Sequence, residues 1–189
     1  KIITLTRRAD THLSAKVFNH VVDFEQLEDH SELFKADLLF SCLGTTIKQA
    51  GTSVAQRKVD LEYQLKAAQL AVKNGIEHYL LVSSSGANEN SYSGYLQMKG
   101  ELEQKIKTLP FKHTSIFQPS LLVGQRENFR LGEKVASWIM KILCIIPGLQ
   151  RFRPILAQQV ATKMLLVSLQ IQKTGQPIDH YRLDKIFSR

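Results

Sequence analysis

His78-Tyr79-Leu80-Leu81-Val82 is a nearly continuous apolar run. Such a run suits a parallel strand whose two faces are both covered by helices. It empties into Ser83-Ser84-Ser85-Gly86, small and polar residues that leave a sheet edge open to chemistry. Other short runs read as strands: Ile2 to Thr6, the weaker Val17 to Val22, Asp37 to Leu43 ended by Gly44, and His113 to Gln118. Helical patterns separate them. Phe24, Leu27 and Phe34 recur among Glu25, Glu28, Asp29 and Glu32 as a short acidic-faced helix, with Asp23 at its N-cap. Val54 to Lys73 reads as a long helix stopped by Asn74-Gly75, and Tyr95 to Lys107 as a second, which Pro110 cannot extend. Trp138 to Ile146, ended by Pro147-Gly148, and Val160 to Gln170 are the later ones. Alternating strand and helix signals specify an α/β fold with a doubly wound, mostly parallel sheet.

With 189 residues the chain has room for one ordinary core, and 43% hydrophobic with 22% charged residues excludes disordered and collagen-like classes. No apolar run approaches the roughly 18 residues of a bilayer span. Lys1 to Thr6 is too short for a signal peptide and ends in Arg7-Arg8, so nothing there marks export. Cys42 and Cys144 each lie in apolar segments and read as buried, reduced thiols. These features together predict a cytoplasmic protein. The net charge of +8 comes from 25 scattered Lys and Arg residues, in no run longer than the pairs Arg7-Arg8 and Arg57-Lys58. No nucleic-acid stripe is visible, and the excess also suits a ligand with several phosphates. The six histidines lack metal-ligand spacing, so no metal is predicted.

In a doubly wound sheet of order 3-2-1-4-5-6 the first strand lies in the middle. This chain opens on a strand ending in two arginines, without a preceding strand, glycine-rich turn and helix. Its sheet should therefore split between the second and fourth positions, and an N-terminal βα segment is expected to belong to the natural protein.

Tyr95-x-x-x-Lys99 opens a helix shortly after the serine run. At i and i+4 the phenol and ammonium share a helix face, so the cation should lower a phenol pKa of about 10 and make Tyr95 a usable proton donor or acceptor. Ser84, the second residue past the strand, is the serine best placed to hydrogen-bond a substrate oxygen; Ser85 is its nearest rival. Lys99 could also hold a ribose hydroxyl of a nicotinamide cofactor. A lone Tyr-x-x-x-Lys is common in amphipathic helices, and it is the strand, serine run and small-residue loop before it that make the chemical reading the stronger one.

The chain resembles the atypical short-chain dehydrogenase/reductases, and within them the branch of Tat-interactive oxidoreductases and their bacterial relatives. The resemblance is carried by Leu5-Thr6-Arg7-Arg8, Val22-Asp23-Phe24, Cys42-Leu43-Gly44-Thr45-Thr46 with Ala50-Gly51, Val59-Asp60, Ser83-Ser84-Ser85-Gly86-Ala87 and Tyr95-Leu96-Gln97-Met98-Lys99-Gly100-Glu101. It implies a single Rossmann-like NAD(P)-binding domain over 1–189, with a small substrate-side segment from about 119 onward. It also implies NADP(H) as cofactor and Ser84, Tyr95 and Lys99 as catalytic residues. Arg7 and Arg8 would meet the 2′-phosphate, Asp23 and Phe24 would lie near the adenine, and Cys42, Leu43, Gly44 and Thr45 would pass under the cofactor. Lys99 would hold the ribose and Pro119 would shape the nicotinamide end.

The chain departs from the family in reading Gln118-Pro119-Ser120 where Arg-Pro-Gly is common, and in lacking the glycine-rich turn, which predicts weak cofactor binding by this stretch alone. The function so implied is NADPH-dependent reduction of a carbonyl, or oxidation of an alcohol, on a small molecule. The alternative is an NADP(H)-binding sensor that controls a partner without turnover. A homodimer or a regulatory protein partner is compatible with either; a nucleic-acid partner and a membrane span are not expected. Arg126, Arg130 and Glu133 read as a solvated helix face near the substrate side, and Phe129, Trp138, Met140 and Phe152 as core or pocket lining. The role of Arg151-Phe152-Arg153-Pro154 is open.

Overall fold

A computed structural model describes residues 1–12, 14–123, 154–174 and 180–182. Strand β1 (Ile2–Thr6) pairs in parallel with β2 (Val17–Val21) as a two-stranded sheet. Strands β3 (Leu38–Ser41), β4 (His78–Val82), β5 (His113–Gln118) and β8 (His180–Arg182) form a second parallel sheet in the order β3-β4-β5-β8. Strands β6 (Leu122–Val123) and β7 (Ile155–Leu156) make a short third pair. The α/β fold thus follows the expected pattern. The expected split is also found, since no ladder among the described residues joins β1 or β2 to β3.

Strand β4 shows why its apolar run has to lie in the interior. Leu80 points into one cluster, with Phe117, Val160, Met164 and Tyr181. Tyr79 and Leu81 point into the other, with Ala68, Met98, Leu102 and Ile106. The period-2 alternation of a strand feeds both layers at once. Each fully buried Leu contributes about 2 kcal/mol from apolar burial. Phe117 and Tyr181 stack across β5 and β8 with ring centroids 4.7 Å apart. A third cluster, Val22, Phe24, Leu27, Phe34, Leu70, Ala71 and Ile76, fills the space under the segment that follows β2.

The segment Phe24–Phe34 is helical but of 3-10 type, with non-helical backbone at Gln26 and His30. Asp23 caps it as expected, accepting a hydrogen bond from the Glu25 N–H at 2.9 Å. The long helix expected from Val54 to Lys73 is interrupted: α2 (Ser53–Arg57) passes into a π turn at Lys58–Glu62 and then into α3 (Tyr63–Lys73). A π turn holds one residue more than an α turn and so rotates the side chains that follow it. The Gln64 side-chain N–H donates to the Asp60 carbonyl at 2.7 Å within this distorted stretch. The helix ends at Asn74-Gly75 as expected, with Gly75 at φ +82°.

Helix α4 (Gly94–Lys107) begins one residue earlier than the spacing suggests. The short α1 (Ile47–Ala50) and strands β6, β7 and β8 were not foreseen, and the last described helix, α5 (Ala157–Thr174), is longer than the predicted Val160 to Gln170. Cys42, just past the end of β3, is exposed, which corrects its reading as a buried thiol, although its surroundings still push the thiol pKa up. The helix expected at Trp138 to Ile146, Cys144, and the residues Arg126, Phe129, Arg130, Glu133, Met140 and Phe152 lie outside the described residues.

Candidate active site

Pairing between β4 and β5 continues past Val82 on alternate residues. The Ser83 N–H donates to the Phe117 carbonyl at 2.7 Å and the Ser85 N–H to the Pro119 carbonyl at 2.8 Å. The Ser83 hydroxyl turns inward and donates to the buried Glu103 carboxylate, which also accepts from Gln118 Nε2 at 2.9 and 3.1 Å. Gln118 thus serves as a buried amide partner for Glu103. Ser84 is left over by this scheme, and it is the serine close enough to the Tyr95 phenol to act on it, favouring its ionised form. Among the three serines, then, the structure brings Ser84 to Tyr95.

Tyr95 reaches that place because α4 lies against the loop before it. A Cβ on Gly100 would stand 2.2 Å from the Glu89 backbone nitrogen, so only glycine permits the approach. Gly86, at φ +83°, turns the chain out of the serine run into the same loop.

Lys99 is on the expected helix face, with its Nζ 6.0 Å from the Tyr95 ring centroid. It is 2% exposed, and its Nζ lies 2.8 Å from Asp60 Oδ1, whose side chain is equally buried. The expected lowering of the Tyr95 pKa is therefore corrected. Partial burial first, and the Asp60 charge second, hold the phenol above its ordinary value, opposed by Ser84. The physical reason is burial of the phenol, to which the Asp60 carboxylate paired with Lys99 adds. Tyr95 itself stays 39% exposed, open to a reactant from the loop side.

Asp60 is the functional residue that sequence reasoning missed. It was noticed only as part of a Val59-Asp60 motif in what read as a plain amphipathic helix. Its second oxygen, Oδ2, accepts from the Thr45 N–H at 2.9 Å, and Gln56 Nε2 donates to the Thr45 carbonyl at 3.2 Å. A Cβ on Gly44 would come within 3.3 Å of Asp60 Oδ1. The Gly44-Thr45 loop after β3 is in this way tied to the same ion pair that holds Lys99. Outside it, Arg57 of α2 pairs with Glu101 of α4 at the rim.

On the other side of Thr45 a cleft of about 670 Å³ opens over the ends of β1 and β2. Of the predicted cofactor residues it is lined by Arg7, Asp23, Phe24 and Thr45. Arg8, Cys42, Leu43, Gly44, Lys99 and Pro119 do not line it, although Gly44 and Lys99 belong to the cluster next to it. Gln49, Lys58 and Tyr63 line it and were not foreseen. The Tyr63 phenol is pushed up to about 12 by burial and by its bond to Glu25 Oε1 at 2.5 Å, and Lys58 pairs with the same carboxylate at 2.5 Å. Arg7 takes part in no ion pair among the described residues. A volume of this size, a guanidinium without a carboxylate, the Phe24 ring and a carboxylate at the cap of the Phe24–Phe34 segment fit the adenosine phosphate part of a dinucleotide. No group of three or more His, Cys, Asp or Glu side chains among the described residues could hold a metal ion.

No family model matches the chain. Protein HTATIP2 of Rattus norvegicus is 40% identical over 139 residues, 71% of this chain and 57% of that protein. Protein FMP52-1, mitochondrial, of Scheffersomyces stipitis is 32% identical over 167 residues, 85% of this chain and 73% of that protein. Protein FMP52, mitochondrial, of Candida glabrata is 40% identical over 128 residues, 64% of this chain and 55% of that protein. The chain thus spans little more than half the length of two of these three relatives. Among solved structures, UDP-glucose 4-epimerase of Thermotoga maritima has a TM-score of 0.62 at 13% identity, covering 97% of this chain and 79% of that one. The Bordetella bronchiseptica enzyme WbmH in complex with NAD+ has a TM-score of 0.68 at 9% identity, covering 97% and 67%. At these identities the likeness concerns the fold. The FMP52 relatives overturn the expected cytoplasmic location, being named mitochondrial. Reduced thiols and a missing export signal, on which that expectation stood, do not separate one reducing compartment from another.

Proposed function

Because the chain belongs to the HTATIP2/FMP52 family of Rossmann-like, short-chain dehydrogenase/reductase-type proteins, we propose that it is the core of an NADPH-dependent oxidoreductase that reduces a carbonyl on a small molecule. The observation that carries the reading is the contiguous set Ser84, Tyr95, Lys99 and Asp60 at the carboxyl edge of β4, beside a cleft that ends in Arg7. Carboxyl edges of parallel strands are where such folds hold their ligands.

In this reading Arg7 faces the 2′-phosphate, which favours NADPH over NADH through charge-assisted hydrogen bonds. Asp23 and Phe24 would hold the adenine, and the Gly44-Thr45 backbone would support the cofactor. When bound, the nicotinamide supplies the hydride. Ser84 donates to the substrate oxygen and fixes it beside the phenol, and Tyr95 gives its proton to that oxygen as it gains charge. Lys99, with its Nζ 6.0 Å from the Tyr95 ring centroid, would hold a ribose hydroxyl. The printed names of the FMP52 relatives support a mitochondrial location.

The test is to follow NADPH absorbance in the whole protein with a panel of aldehydes, ketones and quinones, alongside Tyr95→Phe. Turnover that falls about 10²- to 10⁴-fold in Tyr95→Phe is expected for loss of a general acid. Tight NADPH binding without turnover, unchanged in Tyr95→Phe, would assign the site to cofactor sensing instead.

A further inference from the structure

Aspartate is rarely found fully buried unless paired, and the cost of desolvating it must be offset by specific contacts. Asp60 is 1% exposed and has them in three directions. One oxygen meets Lys99 Nζ at 2.8 Å, the other accepts from the Thr45 N–H at 2.9 Å, and its carbonyl accepts from Gln64 Nε2 at 2.7 Å. Gln64 in turn accepts from the buried Ser41 hydroxyl at 2.8 Å, so Asp60 is anchored to the end of β3. The π turn at Lys58–Glu62 is what carries this carboxylate, on an otherwise amphipathic helix, over to α4.

We propose that Asp60 is a positioning residue of the active site: it fixes Lys99 through the buried ion pair and balances its charge beside the Tyr95 ring. This inference rests on the oxidoreductase reading above for the role of the site, but not for its electrostatics. The groups that face Tyr95 are Asp60 from the π turn, Ser84 from the end of β4 and Lys99 from its own helix. Arg57 and Glu101, further out between α2 and α4, form a pair of opposite charges. With Asp60 ionised, the ammonium and carboxylate nearly cancel at the phenol. With the carboxylate removed, an unbalanced cation remains beside the ring and favours the phenolate.

The experiment is an ultraviolet titration of the Tyr95 phenol in the whole protein, taken as the difference between the wild type and Tyr95→Phe and repeated on an Asp60→Asn background. Asp60→Asn is expected to move the Tyr95 midpoint down by on the order of one pH unit. Asp60→Glu, which keeps the charge, is expected to restore it. A midpoint unmoved in Asp60→Asn would overturn the inference, leaving Asp60 a purely structural group. Should Asp60→Asn not fold, ring-carbon NMR of labelled tyrosine in Lys99→Met decides: a Tyr95 midpoint raised above the wild type's by the unbalanced Asp60 carboxylate supports the inference, and an unmoved midpoint overturns it. Neither titration uses cofactor or substrate. Loss of the oxidoreductase reading would therefore appear as absent turnover with the midpoint shift intact, whereas failure of this inference would appear as active enzyme with no shift.

Discussion

The two parallel sheets of this chain differ in how far they are covered. In the four-stranded sheet, β4 is covered on both faces, with Tyr79, Leu80 and Leu81 wholly inaccessible. In the two-stranded sheet, Ile2 and Val21 are each 55% exposed, and part of what joins the strands is polar: the Asn19 amide donates to the Thr4 and Thr6 hydroxyls at 3.0 and 2.9 Å. Two strands without such cover are marginal by themselves. The cluster built on Ser84, Tyr95, Lys99 and Asp60 is mounted on the covered sheet, where side chains hold their places to fractions of an ångström. Arg7 and Asp23, which would recognise the far end of the cofactor, stand at the ends of the lightly covered one. Proton transfer needs the tighter geometry, and the better-packed sheet supplies it.

The largest test of this contrast is Lys99→Met. It leaves the Asp60 carboxylate buried without its cation, and chemical denaturation should show a loss of about 3–5 kcal/mol. A near-neutral result would mean that the pair is not desolvated and would remove the distinction between the sheets at its strongest point. Next comes a matched pair of truncations. Leu80→Ala in β4 should cost about 2–5 kcal/mol, and Val21→Ala in β2 no more than about 0.5 kcal/mol. Equal costs would break the comparison. The smallest effect is expected from Arg7→Ala, measured by cofactor binding in the whole protein. Affinity for NADPH should fall about tenfold, roughly 1.4 kcal/mol, while affinity for NADH stays the same. Equal loss of both would place the 2′-phosphate elsewhere.

Strand β4 stood out in the sequence because a nearly unbroken apolar run between turn signals has few other ways to be satisfied. The Asp23 cap was equally plain, and the structure gives that residue a place on the cleft wall as well. Asp60 was hidden for the opposite reason. A carboxylate at a regular helical position reads as a solvent face, and the π turn that carries it inward changes the register by one residue without leaving a mark in the spacing. Tyr95 was misjudged because its partial burial, and after it the Asp60 charge beside the cation four residues on, leave no mark in the spacing. Strand β8 pairs with β5 across more than sixty residues and runs only from His180 to Arg182, too short to show a period. A polar run with a purpose of its own, Ser83 to Ser85, was legible as a group, yet only the alternation of ladder bonds to Phe117 and Pro119 separates the three hydroxyls.

The pH dependence of kcat for carbonyl reduction by the whole protein, set against Tyr95→Phe, is the most direct test of Tyr95 as a proton donor. A donor whose pKa is raised above the ordinary phenol value keeps its proton through neutrality and loses it only as pH rises through that raised value. The rate should therefore be level across neutral pH and fall in the alkaline range, above about 10, with that fall absent from the residual activity of Tyr95→Phe. A rate that climbs with pH through neutrality, or an alkaline fall that Tyr95→Phe retains, would contradict it.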